Sequence, residues 1–142
     1  MRDMKIGQVF RMDVSEEQEL MAAAVAGDVE FLHELWRESY EAELAGGITR
    51  ALALHEKILS RIGTSYAAYL RAGRLHYRAG GYKRSLSFYM KALLLSPSED
   101  APLCGMLNCY VAMGDRESAA RASRSLHSTE ASMHYLDYQI AV

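Results

Sequence analysis

Residues Tyr66 to Glu99 read YAAYLRAGRLHYRAGGYKRSLSFYMKALLLSPSE. Two helix-length stretches flank Ala79-Gly80-Gly81, and Ser96-Pro97 closes the segment. The pattern predicts a helical hairpin, because apolar and small residues recur three and four apart on both sides of a glycine that ends a helix at little cost. Shifting the chain by 34 residues carries Gly80 onto Gly46 in one direction and onto Gly114 in the other. The same step relates Leu35, Tyr69 and Leu103 in the first helices, and Ala51, Ser85 and Ala119 in the second. It also relates Ile58, Ala92 and Leu126 near the second-helix ends. Small residues return where helices approach closely and apolar ones where they interlock. Three hairpins follow, at 32–65, 66–99 and 100–133, in one register without insertion.

A helical hairpin that recurs every 34 residues resembles the tetratricopeptide family. The central unit carries the likeness best, through Tyr69, Gly73, His76, Gly80, Tyr82, Ser85, Tyr89, Ala92 and Pro97. The outer units depart from the pattern. Ser39 and Leu107 stand where the family prefers glycine, and Gly63 and Ala131 where it prefers proline. The resemblance covers about 100 of the 142 residues. It implies an all-α fold, a tetratricopeptide-like right-handed superhelix of three helical hairpins with N- and C-terminal capping helices, forming one domain.

The caps are expected because a stack of hairpins exposes an apolar face at each end. Ser15 followed by Gln18 forms a capping-box signature, and Glu16, Glu17 and Glu19 suit the positive end of a helix dipole, which predicts a helix over 15–26 within an N-terminal segment 1–31. Met133, Tyr135, Leu136, Tyr138 and Ile140 supply apolar surface for a C-terminal cap over 134–142, its helix starting near Ala131. Residues 1–11 receive no assignment.

Half of the residues are apolar, enough for a core without disulfides. Cys104 and Cys109 point apart on a helix and read as reduced core thiols. The apolar run Leu20 to Ala26 is too short for a signal or a membrane span, so the expected location is cytoplasmic and no membrane insertion is expected. The net charge of −2 conceals a division along the chain. Ten acids and one base, Arg37, lie between Asp13 and Glu43, whereas nine bases and one acid, Glu56, lie between Arg50 and Lys91. These charges either attract one another within the fold or steer a partner, including a second copy placed head to tail.

The chemistry of an enzyme is not legible. The five histidines are scattered, no glycine-rich phosphate loop or nucleophile elbow occurs, and no metal, cofactor or small-molecule substrate is expected. Ser65, after Gly63-Thr64, reads as a helix cap instead of a nucleophile. Arg71, Arg74, Arg78, Lys83, Arg84 and Lys91 cluster among tyrosines, but those tyrosines fall at packed positions of an acidic chain, which argues against nucleic acid and for an acidic protein segment.

Helical phase places a second set of first-helix residues on the concave side of such a stack. Trp36, Tyr40, Leu70, Arg74, Tyr77 and Asn108 are the candidate peptide-binding residues, rings and aliphatic groups taking apolar side chains while Arg74 and Asn108 bond backbone or acids. Two alternatives stand beside this: Trp36 packs in the interior, and Arg74 pairs with the acids of the first hairpin. The lysine and asparagine clamp by which some tetratricopeptide proteins grip a C-terminal carboxylate is missing, since Trp36 and Tyr40 stand where it needs polar residues.

Three repeats behind an acidic helix resemble the small chaperones of type III secretion translocators, on Tyr40 to Gly46, Ala51, Ile58 and Leu59, and on Ala72-Gly73 with Tyr82, Ser85, Phe88 and Tyr89. That resemblance implies a non-enzymatic chaperone or adaptor whose concave face holds a short, proline-containing extended segment of a client. It also implies a possible homodimer through the N-terminal helix. The alternative is a structural scaffold that assembles with itself and has no peptide client.

Overall fold

The computed structural model describes residues 29–126, which form six α-helices and no strand. They are α1 (Val29–Leu44), α2 (Ile48–Arg61), α3 (Tyr66–Arg78), α4 (Tyr82–Leu95), α5 (Asp100–Met113) and α6 (Arg116–Arg124). The expected caps over 15–26 and 131–142 lie outside the described residues. Helix starts keep the step of 34: Ile48, Tyr82 and Arg116 open the second helices, and Tyr66 and Asp100 open the second and third hairpins. Only α1 departs, beginning three residues ahead of the expected boundary at Leu32.

The step is kept because the three turns have one hydrogen-bond design. Gly46, Gly80 and Gly114 have φ of 85°, 83° and 76°, the left-handed conformation that the sequence predicts there. At the first turn Gly47 N–H donates to Ala42 C=O at 2.8 Å and Gly46 N–H to Glu43 C=O at 3.0 Å. Gly81 with His76 and Gly80 with Tyr77 repeat this pair, as do Asp115 with Tyr110 and Gly114 with Val111. Each turn thereby satisfies two carbonyls that a helix end would otherwise leave open.

The backbone contacts divide the chain into two compact units, up to Arg71 and from Ala72 onward. In the first unit α1 packs on α2. Leu32, Leu35, Trp36 and Ala42 of α1 are buried, as are Ala51, Leu54 and Ile58 of α2, the spacing of one helical stripe on each. Fully burying a leucine or isoleucine of this set contributes about 1.5–3 kcal/mol. Ser65 Oγ accepts the Ala68 N–H at 3.1 Å and so caps α3, as expected.

In the second unit α4 packs on α5, and α5 on α6. Pro102 lies in the first turn of α5, where its missing N–H has no intrahelical partner to lose. Asp115 replaces the glycine that precedes α2 and α4, and its Oδ1 accepts the Ser118 N–H at 3.1 Å. Hydrogen bonding from the Ser118 side chain, and then from its backbone N–H, holds the Asp115 carboxyl below its usual range. Leu107, Ala119 and Ala122 close the third hairpin, with Tyr110, Val111 and Leu126 against them.

Candidate peptide-binding surface

Arg71 of α3 is the centre of the first unit's polar structure. The residue is only 3% exposed. Nη1 donates to Glu43 Oε1 at 2.9 Å and Nη2 to Ser39 Oγ at 2.9 Å. The charged group also lies 3.9 Å from the Tyr40 ring centroid. Ser39, Tyr40 and Glu43 stand at i, i+1 and i+4 on α1, so one stretch of that helix supplies a hydroxyl, a π face and a carboxylate to one cation. Ser39 is satisfied on both sides, because its own hydroxyl donates to Ala51 C=O at 2.9 Å. Ser39 thus ties α1 to α2 and receives Arg71 of α3.

Arg71 is thus a cation paired with a first-hairpin acid, and Glu43 lies buried against it. Sequence reasoning missed Arg71, although a signal was present. It shares a helical stripe with Ala68, Ala72 and Leu75, all of them buried, and a charge at a packed phase calls for a buried partner.

Trp36 also belongs to the interior. It is 2% exposed and meets His55 of α2 edge to face, with ring centroids 5.4 Å apart. His55 in turn shares a 2.8 Å hydrogen bond, through Nε2, with Ala68 C=O. Of the proposed binding residues in this unit, Trp36 is therefore a core side chain in the structure, Tyr40 is half-buried beneath Arg71, and Leu70 is half-buried on α3.

The second unit offers more surface. Arg74 and Asn108 are exposed, and Tyr77 is half-buried, with its ring 5.3 Å from that of Tyr82 at a tilt of 57°. Leu70, Arg74 and Tyr77 follow at intervals of four and three along α3, the spacing of one helical face. The structure groups these three by their helix and places Asn108 on α5, between the buried Leu107 and Cys109.

Beneath this surface, Tyr89 of α4 is laid against two glycines. A methyl group on Gly73 of α3 would lie 2.8 Å from the ring, and one on Gly105 of α5 would lie 2.3 Å from it. Burial pushes the Tyr89 hydroxyl up to about 12, with Cys109 adding to the rise and Arg74 opposing it. Ser85 Oγ donates to Gly73 C=O at 2.6 Å and receives the Cys109 thiol at 3.2 Å. Both cysteines are free, and burial raises both thiols above their ordinary range, leaving them weakly nucleophilic. Gly105 is a second feature the repeat did not reveal, because it lies off the 34-residue frame of Gly73.

Among the described residues, no group of three or more histidine, cysteine or acidic side chains is placed to hold a metal ion, and no helix is long and apolar enough to cross a membrane. No protein-family model matches the chain, and no curated protein matches it by sequence. Among solved structures it is similar to PcrH from Pseudomonas aeruginosa, with 16% identity and a TM-score of 0.69 over 85% of this chain and 96% of that one. At that identity the likeness is one of fold, and the all-α, tetratricopeptide-like arrangement of helices is what the two proteins share.

Proposed function

We propose that the chain is a protein-binding module, a chaperone or adaptor of the type III secretion translocator class, that holds an extended segment of a client against its first helices. The observation that carries this reading is the α3 face. Arg74 stands exposed between Leu70 and Tyr77, so a charged, multidentate donor is flanked on one helix by an aliphatic group and a ring. Such a row suits an extended chain, whose alternate side chains need apolar seats and whose carbonyls need donors. Asn108 on α5 adds an exposed amide of the same kind. The repeat register and the fold shared with PcrH support the reading, since stacked hairpins present their first helices as a continuous ligand surface. Tyr40 has a supporting part, holding Arg71, and Trp36 contributes through the core beneath.

The test is copurification of the tagged chain from its own cells, compared with Arg74→Glu and Asn108→Ala. Both positions are exposed, so thermal melts should match those of the unaltered chain. The expected result is a client recovered with the unaltered chain, protected over one short segment in limited proteolysis, and lost with both variants. A client retained equally by both, with the same protected segment, sinks the proposal.

A further inference from the structure

Helix α4 carries an exposed face that the first-helix reading leaves unused. Its first turn holds Lys83 and Arg84 and no acid, and no Asp or Glu occurs anywhere from Tyr82 to Leu95. Two bases in the first turn oppose the helix dipole, which favours acids there, so neither is placed for the good of the helix. Farther along, Met90 is 47% exposed, Leu94 80% and Leu95 42%. Lys83, Met90 and Leu94 lie at i, i+7 and i+11, and Arg84, Lys91 and Leu95 repeat that spacing one residue on. The exposed face therefore carries only bases in its first turn and Met90, Leu94 and Leu95 beside Lys91 in its last two, with Lys83 and Leu94 roughly 16 Å apart along the axis. An open hollow beside the basic half is lined by Gly80, Gly81, Tyr82, Lys83, Arg84 and Met113, and Met113 is itself 36% exposed. Lys91 is held along the same face with its ammonium 5.1 Å from the Phe88 ring centroid, and Phe88 stacks on His76 at an interplanar angle of 7°.

We propose that this face of α4 docks an amphipathic helical segment of a partner protein, acidic in its first turns and apolar in its last. Charge complementarity selects the occupant. Lys83 and Arg84 meet its carboxylates, while Met90, Leu94 and Leu95 meet its apolar end. A helix supplies both at the required separation within about eleven residues. The methionine gives the apolar half adaptable packing. The surface belongs to a second helix, so it is separate from the client residues Leu70, Arg74 and Tyr77 of α3.

The experiment follows the methyl signals of the full chain while a synthetic peptide is added, helical and carrying glutamates in its first two turns and leucines in its last two on one face. Saturable shifts are expected at Met90, Leu94 and Leu95. Lys83→Glu with Arg84→Glu should weaken binding by about tenfold or more, and so should Leu94→Ser. Raising salt from about 0.05 M to about 0.5 M should weaken it further. Arg74→Glu should leave it unchanged, which separates this surface from the proposed client face. A scrambled peptide of equal composition that binds as well, or shifts centred away from α4, overturns the proposal. Shifts at these methyls that track protein concentration without peptide also overturn it, because a second copy is then the occupant.

Discussion

Ser39 and Ser85 sit on opposite helices of their hairpins. Ser39 on α1 donates to Ala51 C=O on α2, whereas Ser85 on α4 donates back to Gly73 C=O on α3. The step of 34 makes Ser39 the counterpart of Gly73, and Ala51 that of Ser85. One crossing is therefore tied by a hydroxyl in both hairpins, and the helix that supplies it has changed. In the third hairpin the same two positions are Leu107 and Ala119, and the crossing is closed by apolar contact alone. What the repeat keeps is the closeness of the helices, which a small residue on either side secures; the polar tie is free to move.

The two units part more sharply at their centres. In the first, a buried Arg71 holds three residues of α1 by charge, hydrogen bond and ring contact. In the second, the corresponding task falls to Tyr89, an aromatic ring pressed on the bare backbone of Gly73 and Gly105. A buried ion pair depends on both partners being present, because one alone leaves an uncompensated charge. A ring on glycine depends on empty volume, because there is no room for one further carbon.

The largest effect should come from breaking the first design. Arg71→Ala strands Glu43 and is expected to destabilise by about 3–5 kcal/mol, read by urea unfolding, whereas Arg71→Met with Glu43→Leu should recover most of that loss. If the double variant is no more stable than the single, the charge pairing is not what holds the first unit together. Gly105→Ala is the matching break in the second, with an expected loss of about 1–3 kcal/mol from overpacking against Tyr89. A melt identical to that of the unaltered chain would show that the ring has space to move aside.

The smallest effect sharpens the contrast through pH. Tyr89 is held above its ordinary value to about 12, chiefly by burial. A raised folded-state value means that stability is fully present below the unfolded tyrosine value of about 10 and is lost as pH rises toward 12. Tyr89→Phe has no hydroxyl to ionise, so it should flatten the part of the alkaline stability curve between those limits. A curve of unchanged slope would remove Tyr89 from the account of alkaline unfolding.

Much of the fold was legible. Glycines at one interval predicted three left-handed turns, and Ser65 predicted a cap, because these are local demands of the backbone that only a few residue types meet. The candidate surface was legible in part. Phase put Trp36 in the same row as Arg74 and Asn108, yet Arg74 and Asn108 are exposed and Trp36 is buried. Phase describes one helix at a time, whereas burial depends on what the next helix brings, here His55 against Trp36 and Arg71 against Glu43.

By itself, then, the sequence determined the repeat and the turn geometry, the turns being set by interactions within a few residues of each other. Only the tertiary structure decided which of two nearby arginines became the buried partner of Glu43, which helix supplied each crossing hydroxyl, and that Gly105 had to stay bare beneath Tyr89. Those outcomes join residues 12 to 28 positions apart. They are settled by the volume and charge that meet when helices close on one another, quantities that no single stretch of chain contains.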